Sequence, residues 1–245
     1  MDFARSRRQE DVVRRAKRFV EDHVQAEADH WDKSSKFPSD AWRALARAGL
    51  AGVPIPRKYG GAGEDAISYA QVVEEISRAS AALGVTLAVH VSLVSQPLLS
   101  YGTEKQKMRH LKPLARGAQF GSFCLTEPGA GSDVVSMESK AVPDEDGYVI
   151  TGRKYFIVNA PLASTFLVFA MTDKSLAHRG MSCFIVKRDM QRLMNISDPM
   201  AEAFEEAELV THVETEGKIA RVVQDGGYDA AVGNRARVLN FDPLR

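Results

Sequence analysis

The chain has 245 residues, 44% hydrophobic and 26% charged, enough for one or two domains with a real core. Lys plus Arg and Asp plus Glu number 32 each, so no global field directs it to nucleic acid or to an anionic membrane surface. No apolar run approaches the ~20 residues that a bilayer span needs, and Cys124 and Cys183 lie in apolar strand-like runs, as buried thiols in a reducing compartment would; the expected location is cytoplasmic.

The first half is predicted to be helical. A basic cluster, Arg5, Arg7, Arg8, Arg14 and Arg15, is interrupted by Asp2, Glu10 and Asp11, which suits a solvated helix face rather than a targeting peptide. Val12, Val13, Ala16, Phe19, Val20 and Val24 form one stripe of an amphipathic helix. Ser39 is positioned to cap a second helix carrying Trp42 and Leu45, which Gly49 ends. Ile67, Ala70, Val73, Ile76 and Ala79 mark a third. Residues 85–99 are apolar on most sides and are expected to be buried. Thr103 with Gln106 gives a capping-box signal for a further helix that stops near Gly117.

The period changes near Gln119. Short β-branched or aromatic runs at 120–125, 148–151, 155–158, 165–171 and 181–186 are separated by turn residues such as Asp146-Gly147 and Arg179-Gly180. The expected class is α+β, a helical domain over 1–118 followed by a small antiparallel β domain over 119–190. Residues 191–245 form an unassigned tail, with one acidic helical patch at 200–213.

The run Phe123-Cys124-Leu125-Thr126-Glu127-Pro128-Gly129-Ala130-Gly131-Ser132-Asp133 carries the strongest functional signal. It begins as an apolar strand and ends in a loop where glycines let backbone approach a bound group and Pro128 fixes the entry to the turn. Thr126, Ser132 and the bared N–H groups suit a flat, polar, partly anionic ligand. A glycine-rich hairpin without a ligand satisfies the same residue types.

Thr126-Glu127-Pro128-Gly129-Ala130-Gly131-Ser132-Asp133 resembles the first signature of the acyl-CoA dehydrogenase family of flavoproteins. Other segments follow in that family's order: Phe37-Pro38 with Trp42, Gly49-Leu50, Pro54, Pro56 and Tyr59-Gly60-Gly61-Ala62-Gly63. Then come Glu74-Glu75-Ile76-Ser77-Arg78, Tyr101-Gly102-Thr103-Glu104-Lys105-Gln106-Lys107 and Gly152-Arg153-Lys154-Tyr155-Phe156-Ile157-Val158-Asn159-Ala160. The resemblance runs from about residue 10 to about residue 188.

The resemblance implies FAD as cofactor and an acyl-CoA thioester as substrate. A glutamate takes the α-proton while the β-hydrogen leaves as hydride to the flavin. It also implies an electron-transfer flavoprotein or similar acceptor as partner, a homo- or hetero-oligomer, and no metal. Phe123 and Leu125 would line the flavin ring, and Thr126 would bond its pyrimidine end. Ser132 would reach both the cofactor and the CoA part of the substrate. Phe156 takes a position often held by tryptophan beside the ring, although a core aromatic on a strand fits it equally. Val158 stands where the family often has a hydroxyl, so only its N–H could serve there.

By the same resemblance the β domain is incomplete, leaving an edge that invites association with another chain. The catalytic glutamate would lie in a C-terminal helical domain, and no segment here matches it. Glu127 reads as structural within the turn, and Glu202, Glu205, Glu206 and Glu208 as a solvated face; no catalytic base is assigned. Two readings follow: an acyl-CoA dehydrogenase impaired in a chain of this length, or a non-catalytic relic or partner subunit of a larger assembly.

Overall fold

The computed structural model describes residues 4–144, 147–188, 211–223 and 235–239. They fall into two compact units, one built on residues 4–100 and 104–120, the other on 101–103 and the described residues from 121 onward.

In the helical unit, α1 (Arg7–His23) starts at a capping box in which Ser6 and Gln9 satisfy each other's backbone N–H, and it buries Val12, Val13, Ala16 and Phe19. After α2 (Ala28–Ser34) comes α3 (Ser39–Arg47), where Ser39 is the first helical residue and Pro38 precedes it, so Ser39 does not cap. Gly49 does end α3, at φ 71°, with Leu50 N–H donating back to Leu45 O. Helix α4 (Ala66–Ala79) buries Ser68, Val72 and Ile76; of the expected stripe Ile76 is buried, Val73 and Ala79 pack partly buried against the core, and Ile67 is 59% exposed.

Helix α5 (Ala81–Ala88) runs through a π-helical stretch (Val89–Ser95) into α6 (Gln96–Tyr101). This corrects the expectation that no apolar run nears span length. The 21 residues Ala81–Tyr101 are long and apolar enough to cross a membrane by length and composition, and half of the apolar window is buried. Val85 and Leu93 are exposed, against the expectation for 85–99. A short α7 (Glu104–Gln106), a second π stretch (Lys107–Leu111) and α8 (Lys112–Ala115) complete this unit. Its core gathers Val12, Phe19, Trp42, Leu45, Ile76 and Leu87. Trp42 Nε1 donates to Gly117 O at 3.0 Å and the indole meets the buried His90 ring edge-on at 5.1 Å. Burial pushes the His90 imidazole down to about 4, against a contact of 3.0 Å between its Nε2 and Leu114 O.

The second unit is a mixed sheet. Its strands are β1 (Phe120–Cys124), β2 (Lys140–Asp144), β3 (Gly147–Ile157), β4 (Ala163–Met171), β5 (Met181–Lys187), β6 (Thr211–Val223) and β7 (Arg235–Leu239). The order is β1-β4-β2-β3-β6-β7-β5, and β5 pairs back with β4, so six strands close on themselves. Most pairings are antiparallel, but β2–β4 and β6–β7 are parallel, which replaces the all-antiparallel expectation.

The sheet also continues past residue 190. Strand β6 covers β3 and β7 covers β5, so the open edges expected there are paired. The acidic patch expected to be helical at 200–213 lies mostly outside the described residues, and Thr211–Val213 belong to β6. Glu202, Glu205, Glu206 and Glu208 lie outside them altogether. The two runs expected at 148–151 and 155–158 are one long strand, β3, whose register against β6 slips after Ile150 and again after Lys154.

Candidate functional site

The site is built on three pieces of the sheet unit: the end of β1, the loop that follows it and the end of β3. Along β1, Ser122 and Cys124 point into the interior while Phe123 is half-buried, its ring 5.0 Å from that of Phe169 on β4. Cys124 and Cys183 are both buried free thiols. Burial pushes the Cys124 thiol up to about 12 and moves Cys183 in the same direction.

After β1 the chain turns back on itself. Glu127 and Ala130 exchange backbone hydrogen bonds in both directions at 3.1 Å, with Pro128 and Gly129 at the exposed corner. Leu125 leans on a small apolar cluster of Ala130, Met137 and Met171 beneath this turn. Thr126 is half-buried and Ser132 is exposed, and neither hydroxyl is bonded to a described residue.

Gly129 and Gly131 have no positive φ, and a methyl added at either would meet nothing within 4 Å. The fold therefore does not demand glycine at these positions. Both lie on the exposed side of the loop, with open space beside them.

The end of β3 reaches the same loop. Tyr155 N–H donates to Thr126 O at 2.9 Å, so Thr126 and Phe156 are brought together. Phe156 has φ 56°, a left-handed backbone that is costly for a bulky residue, and its side chain is 67% exposed. The alternative of a core aromatic at this position is not what the structure places there. One residue pair further, Ser122 Oγ donates to Val158 O at 2.6 Å and fixes the half-buried Val158 beside β1. Asn159 follows at φ 67°, with its Nδ2 donating to Gly121 O at 3.3 Å. Thr126, Phe156, Val158 and Phe123 are thus held on linked backbone, and no bond joins Ser132 to Phe156 or Val158.

Glu127 does not face solvent. Its side chain is 4% exposed and its carboxylate accepts from Glu138 N–H at 2.5 Å, Ser139 N–H at 3.1 Å and Lys154 Nζ at 2.6 Å. Burial pushes this carboxyl up, but the bonds from Lys154, Ser139 and Glu138 prevail and hold it below the usual carboxylate range. Lys154 is equally buried, and its ammonium also donates to Leu125 O at 2.9 Å. Sequence reasoning did not single out Lys154. The available signal was a lone lysine inside a strand, with an acid of opposite sign in the matching loop.

Two family profiles match the chain: the acyl-CoA dehydrogenase N-terminal domain over residues 6–118 and the acyl-CoA dehydrogenase middle domain over residues 122–209. A short-chain-specific acyl-CoA dehydrogenase of Clostridium acetobutylicum is 40% identical over 188 residues, covering 77% of this chain and 50% of that protein. The short-chain-specific enzyme of Megasphaera elsdenii is 34% identical over 260 residues, covering 98% of this chain and 67% of its own length. The solved structure of butyryl-CoA dehydrogenase from Megasphaera elsdenii aligns at a TM-score of 0.80 and 32% identity, over 89% of this chain and 58% of that one. The chain belongs to the acyl-CoA dehydrogenase family, a family of flavoproteins. It spans about half the length of most curated relatives it matches. The likeness also reaches beyond residue 188, since the middle-domain profile extends to residue 209.

Proposed function

We propose that the chain binds FAD on the Thr126 loop and takes part in the α,β-dehydrogenation of an acyl-CoA thioester, with the electrons passing on to an electron-transfer flavoprotein or similar acceptor. The observation that carries this reading is the loop itself. Glycines with open space beside them stand next to two hydroxyls, Thr126 and Ser132, that bond no described residue, and an outward-facing Phe156. Flat apolar surface next to hydroxyl donors suits a ring system with a polar edge.

FAD, when bound, supplies the redox chemistry and accepts the hydrogen that leaves the acyl chain with its electron pair. The chain supplies placement. Thr126 Oγ1 is available to donate to the polar edge of the ring, and Phe156 offers it an aromatic face. Phe123 and Leu125 give an apolar border, although the Leu125 carbonyl is already taken by Lys154. Ser132 is free to donate to the cofactor or to the CoA portion of the substrate. At Val158 only the backbone N–H could serve, because valine has no hydroxyl.

Glu127 is not the base that removes the α-proton, since both its oxygens are occupied and it is buried away from the open face of the loop. That observation favours a second reading, a partner subunit that binds FAD or completes an assembly without performing the proton transfer itself. The buried thiols Cys124 and Cys183 suit a reducing compartment such as the cytoplasm in either case.

The test is a visible absorbance spectrum of the purified protein, before and after FAD and then a short acyl-CoA are added. A yellow protein that bleaches with the thioester supports the enzyme, and one that stays yellow supports the partner subunit. A protein that remains colourless after FAD addition and gel filtration refutes the enzyme and supports a non-catalytic relic or assembly subunit.

A further inference from the structure

Two oppositely charged side chains, each 4% exposed, meet at 2.6 Å directly beneath the loop. Such a pair is costly to bury, and the cost is offset only where its remaining lone pairs and protons are bonded. Its bonds show what else it does. Glu127 at the root of the loop takes the N–H groups of Glu138 and Ser139, which lead into β2, and also takes Lys154 from β3. Lys154 in turn holds the carbonyl of Leu125, the residue before Thr126. The next residue, Tyr155, donates its N–H to the carbonyl of Thr126 itself. Loop, β2 entry and β3 are therefore locked together at one point.

The strand breaks register immediately after Lys154, and Phe156 adopts φ 56° with its ring outward. A bulky residue stays in that conformation only where its surroundings over-determine it. The bonds made by Lys154 and Tyr155 to the loop are that constraint. We propose that Lys154 and Glu127 are positioning residues that fix Thr126 and the Phe156 bulge in mutual register, so that one ligand can meet both. The proposal rests on the flavin reading above and touches no ligand atom directly.

The decisive experiment separates a positioning role from a merely structural one. In the double variant Glu127→Gln with Lys154→Met no charge is left buried alone, so the folded state is retained, with a melting temperature lowered by the donor that Leu125 O loses. The lock on Leu125 O is nevertheless lost. FAD titration of the double variant is expected to show a dissociation constant raised about tenfold or more. Hydrogen exchange at the amides of 126–133 and 154–158 should also be faster in the FAD-free protein, a readout independent of turnover. Glu127→Asp, which keeps the charges but draws the carboxylate back by one methylene, should weaken FAD several-fold and also lower the melting temperature, because Lys154 is left less closely paired.

A double variant that binds FAD as the wild type does would overturn the positioning role. If the double variant does not fold, unchanged FAD affinity in Glu127→Asp overturns it instead. Wild-type protein that takes up no FAD overturns the flavin reading, whereas exchange rates left unchanged in the variants overturn the lock alone.

Discussion

Replacing Gly131 or Gly129 by alanine separates what the fold needs from what a ligand needs. Neither residue has a positive φ, and an added methyl meets nothing within 4 Å at either position. In the free protein each substitution is therefore tolerated, and the loss of freedom in the unfolded chain should stabilise by roughly 0.4–1 kcal/mol. For a unit of this size that raises the melting temperature by about 1–5 °C. Gly152 provides the opposite case within the same sheet. A methyl there would stand 2.0 Å from Ser139 Oγ and 2.6 Å from Ser139 Cα, so Gly152→Ala should lower the melting temperature. Toward FAD the ranking inverts. A methyl at 131 or 129 pushes a closely seated ligand off the loop, and losing one or two hydrogen bonds of about 1 kcal/mol each weakens binding by about five- to thirtyfold. Thermal melting without ligand and fluorescence titration with FAD, run on the same preparations, give both numbers. If both variants bind FAD within about twofold of the wild type, the ligand does not lie against this loop and the reasoning fails. A large drop in melting temperature for Gly131→Ala would show that the fold itself demands the glycine.

Thr126→Ala should weaken FAD by several-fold to about tenfold, since one hydroxyl bond is worth about 1 kcal/mol and more if a buried acceptor is left unpaired; unchanged affinity removes Thr126 from the site. His90 titrates from an ordinary 6.5 down to about 4 in the fold, so the unfolded chain takes up a proton that the folded helical unit refuses. Its contribution is complete above pH 6.5 and falls by roughly 3 kcal/mol as pH drops to 4. His90→Gln should flatten the melting profile between about pH 7 and pH 5, above the range where Glu127 takes up its proton; parallel profiles would refute this. Trp42→Phe keeps most of the apolar contact but leaves the Gly117 carbonyl without its 3.0 Å donor, and should cost about 1–3 kcal/mol in urea melts.

Periodicity and spelling made different parts of the molecule legible. The stripe of α1 and the glycine stop of α3 follow from 3.6-residue geometry and left-handed φ, and both are where those rules put them. The third helix shows how a three-residue spacing misleads. Steps of three drift around a helix, and the row that is buried in α4 is the four-residue row Ser68, Val72 and Ile76. Strand β2 contains Pro143 and begins with Lys140, which hid it from a search for apolar alternation. Strand β6 mixes Glu214, Glu216, Lys218 and Arg221 among its apolar residues, so composition alone leaves most of it within an unassigned tail. Its pairing with β3 is long-range and leaves no short-range pattern. The candidate site segments were legible by their spelling, through its resemblance to the family's first signature, rather than by residue type, which a ligand-free hairpin shares. Lys154 was not, because its meaning depends on Glu127, 27 residues away.

Several unusual features of the sheet unit lie around this loop, although left-handed backbone also occurs at Ala177, φ 49°, in the turn before β5. Two glycines have open space on their Cβ side, and Phe156 and Asn159 hold left-handed backbone on the adjoining strand end. An ion pair is buried beneath the loop and bonds its backbone. Local backbone preference does not explain the left-handed Phe156. These features become consistent once a rigid, flat group lies across Thr126 and Phe156. On the flavin reading proposed above, the glycines would give it room, the left-handed bulge would turn an aromatic ring toward it, and the buried pair would stop the two segments from sliding apart. Departures from local preference that converge on one surface, and that share one lock beneath it, are what a binding site built on a closed sheet should show.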